Sequence, residues 1–140
     1  MELLRISSIK EEIKMAEKTW TEEQLKDFSK ADDFKVSPFY DDGKTYGTPT
    51  WIWSVVVDGN LFIRAYNGQN SRWYNSAITQ KAGRIFLAGE NHEVTFKKLE
   101  DTSMTEKIDQ GYKDKYKDSP YLPPMLAEGP QSATVEVSPK

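Results

Sequence analysis

The sequence contains no cysteine and only one histidine, His92. Without thiols the chain has no disulfide, thiolate nucleophile or thiolate metal site, which is typical of an intracellular protein. A lone histidine lacks the second group that would activate a nucleophile, and we interpret His92 as a solvated residue in a hairpin turn. The sequence also has no acidic calcium loop and no H-E-x-x-H motif, so a metal site is not expected.

Long apolar runs and an excess of positive charge are also missing. No apolar segment approaches the ~20 residues that a membrane-spanning helix needs, and charged residues interrupt the first dozen positions, so we expect neither a membrane segment nor a secretory signal. A cytoplasmic protein is therefore predicted. The 19 basic and 22 acidic residues are interspersed and give a net charge of −3. Nucleic acid is not an expected partner, because phosphate binding needs a concentrated basic face.

The most informative stretch runs from Thr50 to Tyr74. Two segments rich in β-branched and aromatic residues, 50–57 and 61–66, are joined by Asp58-Gly59, which favours a two-residue hairpin turn. The resulting register places Trp53 opposite Arg64 and Trp51 opposite Tyr66. One face is then aliphatic and suits a packed interior: Ile52, Ser54, Val56, Leu61, Ile63 and Ala65. The other face surrounds a single cation, Arg64, with Trp51, Trp53, Val55, Phe62 and Tyr66, and this arrangement favours a binding surface.

The remaining segments predict one domain with an antiparallel α+β fold. Four more strands are expected from alternating apolar residues, at 33–40, 82–88, 93–99 and 133–138, the first of them an edge strand ended by Pro38. Helices are expected from apolar spacing and capping signals, at 1–19, 22–30, 72–80 and 103–117, while 119–130 is expected to be irregular. Six short strands with flanking helices suggest a small barrel. We divide the chain into an N-terminal amphipathic helix, 1–19, and a barrel domain, 20–140.

An anion site is predicted where the central hairpin meets the next helix. Arg64 leads through a polar loop that contains Asn67 to Ser71, the expected N-cap, and the N–H groups of Arg72 and Trp73 would point toward the same place. Aromatic residues beside an anion site suit a phosphorylated flat heterocycle such as a flavin, which brings its own redox chemistry. The alternative is that Arg64 stacks on surface rings and Ser71 only caps a helix.

Four sequence blocks carry a resemblance to a known family: TPTWIWSVVVDGNLFIR, G-x-x-S-R-W-Y, YxxKY and SPYLPPM. The chain, from about Trp20 to Pro139, resembles a family of uncharacterised bacterial domains related to the pyridoxamine-phosphate-oxidase-like split barrels, which include flavin- and deazaflavin-dependent nitroreductases. The resemblance implies a six-stranded split β-barrel, a homodimer, and a cofactor held outside the barrel near the subunit interface.

The resemblance also implies an activity and a set of site residues. Relatives of this kind bind FMN or a deazaflavin (F420), and the implied function is hydride transfer to a small acceptor that the sequence does not identify. The implied cofactor-binding residues are Thr48, Thr50, Trp51, Arg64, Asn67, Ser71 and Arg72. Tyr116 and Tyr121 are implied on the substrate side, although Tyr112 and Tyr116 also have the spacing of a core-facing helix. Two alternatives stay open: a non-catalytic module for another planar ligand, and an interaction protein whose aromatic face is a dimer interface.

Overall fold

The computed structural model describes residues 19–140, so the predicted N-terminal helix lies outside the described residues. Within this range the chain forms an α+β fold of five helices and seven strands. The helices are α1 (Glu22–Lys30), α2 (Arg72–Gln80), α3 (Thr105–Lys115), α4 (Leu122–Met125) and α5 (Glu128–Ser132). The strands are β1 (Lys35–Pro38), β2 (Thr50–Trp51), β3 (Ser54–Val57), β4 (Asn60–Arg64), β5 (Ala82–Leu87), β6 (Glu90–Lys98) and β7 (Thr134–Pro139).

All seven strands belong to one antiparallel sheet that curls into a half-barrel, in the order β2-β1-β5-β6-β7-β4-β3. The two edge strands, β2 and β3, are separated in the chain only by Ile52 and Trp53. The prediction of six strands is therefore wrong, because the segment 50–57 crosses from one edge of the curled sheet to the other. β1 is an inner strand and not the expected edge strand, since β2 and β5 pair with its two sides.

This crossing also corrects part of the predicted hairpin register. Trp51 pairs with Lys35 in β1, and not with Tyr66. Trp53 does not pair with Arg64, because the pairing of β3 with β4 begins at Ser54 and Ile63. Trp53 instead stacks on Tyr116, with ring centroids 4.0 Å apart and an interplanar angle of 3°. The nearer part of the prediction is confirmed, since Val57 pairs with Asn60 and Val55 with Phe62.

Both hairpin turns use left-handed backbone, which two-residue turns of this kind require. Asp58 and Gly59 have φ of 50° and 80°, as the sequence predicts. The second turn lies at Ala88-Gly89, and not at Gly89 to Asn91, because both carboxylate oxygens of Asp33 accept hydrogen bonds from these two backbone N–H groups. His92 is consequently a strand residue and not a turn residue. Its ring packs edge-on, 5.4 and 5.5 Å from the rings of Trp20 and Phe28.

Helices α1 and α2 begin and end where the sequence predicts. In α1, Thr21 and Gln24 form the expected capping box. In α2, Ser71 occupies the N-cap position, but its side chain makes no capping hydrogen bond.

The last third of the chain departs from expectation. The Asp101 carboxylate accepts a hydrogen bond from the Ser103 N–H and caps a 3-10 turn at Thr102–Met104. The predicted capping box of Ser103 and Glu106 therefore does not form, and α3 begins at Thr105. Residues 119–130 contain α4 and much of α5, with prolines in the first turn of α4, where the missing N–H costs little. No helix within residues 19–140 is long and apolar enough to cross a membrane.

The sheet separates two apolar clusters, and the central hairpin contributes to both. Its aliphatic face, with Leu61, Ile63 and Ala65 fully buried, joins the larger cluster, as predicted. On the other face, Val55 and Phe62 pack against α3 and α4 in a second cluster with Ile108, Tyr112 and Met125. Most of the predicted aromatic face is thus covered by helices, while Trp51 and Tyr66 remain exposed at its end.

Candidate functional site

Four large aromatic side chains stand out as exposed among residues 19–140, and all of them line two adjoining cavities. Tyr40, Trp51, Tyr66 and Tyr121 keep 47%, 66%, 46% and 63% of their surface accessible. Exposed rings cost solvation free energy, and when they gather around a concave surface they mark a binding site. The two cavities share Trp51, Ile52 and Tyr66.

The larger cavity, called here the polar cleft, has a volume of about 510 Å³. It brings together six of the seven predicted cofactor-binding residues: Thr48, Thr50, Trp51, Asn67, Ser71 and Arg72. Trp73, whose N–H was expected at the anion site, also lines it, and so do Tyr40 and Ser76, which were not predicted. Arg72 is the only charged residue among those of 19–140 that line the cleft, so an anion meets a cation there and no lining carboxylate.

One wall of the polar cleft is built by the loop 41–49. The Asp42 carboxylate accepts hydrogen bonds from the N–H groups of Lys44 and Thr45 and from the Thr45 hydroxyl, and the Thr45 hydroxyl lowers the pKa of Asp42 most. The loop then returns against β1, where the Gly47 N–H donates to the carbonyl of Pro38 at 2.8 Å. A Cβ on Gly47 would lie 2.7 Å from that carbonyl oxygen, so glycine permits this approach and delivers Thr48 to the cleft.

The Tyr40 hydroxyl holds Thr48 at this wall of the cleft. It lies 3.1 Å from the Thr48 hydroxyl and accepts the Thr48 N–H at 3.2 Å. These hydrogen bonds, the side-chain one most strongly, lower the pKa of Tyr40, and the positive charge of Arg72 lowers it further. Tyr40 and Thr48 are thus held together at this wall of the cleft.

The opposite wall is the connection from β4 to α2. Gly68 has φ of +70° and packs against the backbone of Gly129, and its N–H donates to Ala65 O at 2.9 Å. The Asn75 amide holds the turn by donating to Gln69 O at 2.9 Å and Ser71 O at 3.0 Å. The first turn of α2 then opens toward the cleft with N–H groups that have no intrahelical acceptor, which is a favourable environment for an anion.

The second cavity, called here the apolar cavity, has a volume of about 330 Å³. It is lined by the shared residues and by Trp53, Arg64, Tyr121 and Met125. The Trp51 indole is fixed by a hydrogen bond from its N–H to Asp32 O at 3.1 Å, and Trp53 is fixed by its stack on Tyr116. The predicted residues Tyr121 and Arg64 thus belong to this cavity and not to the polar cleft.

Arg64 is fully buried and its charge is already paired. Its Nη1 lies 2.5 Å from Asp109 Oδ1, and its Nε donates to the Thr134 hydroxyl at 3.1 Å. The carbonyls of Met125 and Thr105 accept two further hydrogen bonds at 3.4 Å. A phosphate would have to compete with these partners. Phosphate binding by Arg64 stays a prediction, and the pair with Asp109 weighs against it.

Tyr116 lies behind the apolar cavity and lines neither cavity. Its hydroxyl accepts the Ser54 N–H at 3.3 Å and donates to Ser54 O at 3.2 Å, while burial raises its pKa to about 12. Beside it, the Lys115 ammonium donates to Ser54 O at 2.8 Å and Phe28 O at 3.2 Å. Burial lowers the pKa of Lys115 to about 8. Both side chains tie α3 to the sheet.

A model of the family described as "Uncharacterized protein conserved in bacteria (DUF2255)" matches residues 24–137. The chain belongs to the DUF2255 family. Every residue that lines the two cavities lies within the matched range. No curated protein matches this DUF2255 chain. No solved structure matches it either. The expected kinship with an uncharacterised bacterial family is confirmed, and the kinship with split-barrel nitroreductases stays a prediction.

Sequence reasoning did not single out Tyr40, which lines the polar cleft, or Asp109, which pairs with Arg64. Tyr40 precedes a glycine-rich loop, and an aromatic residue at such a place was a usable signal. Asp109 gave no signal, because it lies 45 positions from Arg64 and adjoins the apolar positions of α3.

Within residues 19–140 no group of three or more acidic or histidine side chains is arranged to hold a metal ion.

Proposed function

We propose that the polar cleft binds a phosphorylated planar redox cofactor, FMN or the deazaflavin F420, and that the protein transfers hydride from it to a small acceptor. One observation carries this proposal: Arg72 is the only charged residue that lines the polar cleft in the part of the chain described, and it lies in the same cleft as the exposed indole of Trp51. A cation and a flat apolar surface in one cleft match a phosphate and a flat ring in one molecule.

The residues of the cleft fit the phosphate end of such a cofactor. The Arg72 guanidinium supplies a two-pronged donor, and the Ser71 hydroxyl is not used for capping. The N–H groups of the first turn of α2 add donors and the positive end of the helix dipole. Arg72, Ser71 and this turn would therefore hold the phosphate, with the Asn67 amide nearby.

The ring would lie along the aromatic and hydroxyl-bearing side of the cleft. Trp51 offers a face whose orientation is set by its hydrogen bond to Asp32 O. Thr48 and Thr50 offer hydroxyl groups for the polar edge of a flavin or deazaflavin. The cleft volume, about 510 Å³, lies within the range of cofactor and ligand pockets.

When bound, the cofactor supplies the hydride chemistry itself. The protein then has to bind and orient the ring and restrict water, and it needs no nucleophile and base of its own. This division of labour agrees with a chain whose one histidine, His92, packs against Trp20 and Phe28 and lines neither cavity. A split barrel and a homodimer belong to the same proposal, in which a second subunit covers part of the exposed aromatic surface.

Cofactor titration tests the proposal. We expect FMN or F420 to bind the purified full chain below ~100 μM, and Arg72→Ala to weaken that binding by about 1.5–3 kcal/mol, which is roughly 10- to 150-fold. The control is Arg84→Ala, a part-exposed arginine that lines a different cavity and is expected to leave the affinity within twofold. If neither cofactor binds at ~100 μM, the proposal fails.

The second candidate is an interaction protein that uses the four exposed aromatic residues as an interface. Their exposure, 46% to 66%, is the observation that favours it. Turnover with a reduced cofactor separates the two functions, since an interaction protein or a non-catalytic module would oxidise neither reduced FMN nor reduced F420 faster than the uncatalysed reaction.

A further inference from the structure

We propose that the apolar cavity is a separate binding site for an uncharged planar aromatic molecule of one or two rings. If the proposed function holds, this molecule is the hydride acceptor, and only that assignment rests on the proposed function. The preference for an uncharged ring follows from the cavity itself.

Charge is the first reason. Arg64 is the only charged residue that lines the apolar cavity within residues 19–140, and it is fully buried. The Asp109 carboxylate neutralises Arg64 and accepts a hydrogen bond from it at 2.5 Å. The Thr134 hydroxyl and the carbonyls of Met125 and Thr105 accept three more. The pair of Arg64 and Asp109 carries no net charge, so a charged ligand of either sign would lose its hydration in the cavity without gaining a free counter-charge.

Shape is the second reason. The cavity has a volume of about 330 Å³, at the small end of the range for ligand pockets. Trp51 and Trp53 are each held in one orientation, by the hydrogen bond to Asp32 O and by the stack on Tyr116. Rigid aromatic side chains give up little entropy when a flat ring packs on them. Met125 adds an adaptable apolar surface.

Continuity with the polar cleft is the third reason. Trp51, Ile52 and Tyr66 line both cavities, so a ring in the apolar cavity lies next to a ring along Trp51 in the polar cleft. The same two cavities therefore accommodate an anionic cofactor and an uncharged partner side by side, with the charge of Arg72 directing the phosphate to one end.

The test uses two probes that share the naphthalene ring and differ in charge, 2-naphthol and naphthalene-2-sulfonate, without cofactor. Both are titrated by calorimetry into the full chain carrying Arg72→Ala, so that the sulfonate does not bind through the polar cleft. We expect naphthol to bind at least tenfold more tightly than the sulfonate. Adding Tyr121→Ala should weaken naphthol binding fivefold or more, because Tyr121 lines only the apolar cavity.

Two further variants complete the test. Tyr40→Ala removes another exposed tyrosine, which lines the polar cleft and not the apolar cavity, and it should leave naphthol binding within twofold. Asp109→Asn uncovers the charge of Arg64 and should reverse the preference toward the sulfonate. Circular dichroism verifies that each variant folds, and if Asp109→Asn does not fold, the probe preference and the Tyr121→Ala result decide.

Three results overturn the proposal: equal affinity for the two probes, naphthol binding that Tyr121→Ala leaves unchanged, or a self-associated protein that binds no naphthol because a second copy fills the cavity. Since no cofactor is present, these failures are distinct from a failure of FMN or F420 to bind.

Discussion

Replacing Asp109 with alanine is the most direct perturbation of the buried cluster that supports the apolar cavity. The change leaves Arg64, which has no exposed surface, without its counter-charge. It also removes the acceptor for the Gln131 amide, which donates to Asp109 Oδ2 at 3.0 Å. Since Gln131 belongs to α5 and Arg64 to β4, one carboxylate connects three elements of the fold.

The expected cost is about 3 kcal/mol of unfolding free energy. Removing one partner of a buried ion pair typically costs about 3–5 kcal/mol, because the remaining charge stays buried without compensation. The Asp109 side chain is 18% exposed, so water can partly replace it and the lower end of this range applies. For a protein of this size such a loss is a large fraction of the total stability.

Urea denaturation followed by circular dichroism measures this cost, with two comparisons. Asp114→Ala removes an exposed carboxylate of the same helix, which only accepts from Gln110, and is expected to change stability by less than about 0.5 kcal/mol. The double variant Arg64→Met with Asp109→Leu replaces the pair by apolar side chains and is expected to recover most of the loss. A single variant within about 1 kcal/mol of wild type, or a double variant as unstable as the single one, would refute the reasoning.

Two further predictions concern packing and pH. Gly83→Ala should destabilise the protein by about 2–3 kcal/mol, since the new Cβ would lie 2.5 Å from Ser37 O and 2.7 Å from Pro38 Cα. The control is Gly129→Ala, whose Cβ would have no atom within 4 Å and which should be neutral or slightly stabilising. Thermal melts compare the two variants. Burial lowers the pKa of Lys115 to about 8. Between pH 8 and 9.5 the unfolded chain therefore binds more protons than the folded chain, and the free energy of unfolding should rise with pH. The expected rise is about 1 kcal/mol after allowance for the exposed part of the side chain. Lys115→Met should lose this rise while the exposed Lys113→Met keeps it, and a rise that Lys115→Met preserves would assign it to another group.

Local signals in the sequence predicted the parts of the fold that depend on neighbouring residues. The turn at Asp58-Gly59, the capping box of Thr21 and Gln24 and the bounds of α2 all follow from residues a few positions apart. Thr48, Thr50, Ser71 and Arg72 line one cleft, and the sequence had grouped them as residues of one site. That grouping came from the family resemblance, because local patterns do not show which distant residues lie together.

The errors arise where distant parts of the chain compete. The alternation of residues 50–57 reads as one strand, but the curl of the sheet lets Trp51 pair with Lys35 while Trp53 stacks on Tyr116. Likewise, the partner of Arg64 comes from α3, and an acidic residue beside apolar helix positions looks the same whether it faces solvent or a buried arginine. Only the packed structure distinguishes these cases.

The central claim, that the polar cleft recognises the phosphate of a flat cofactor through Arg72, is tested most directly by paired affinities. FMN is compared with riboflavin, and F420 with its phosphate-free chromophore, in wild type and in Arg72→Ala. We predict that in at least one pair wild type prefers the phosphorylated compound by tenfold or more, and that Arg72→Ala removes most of this preference. Equal affinities in both pairs, or a preference that Arg72→Ala leaves intact, would contradict it.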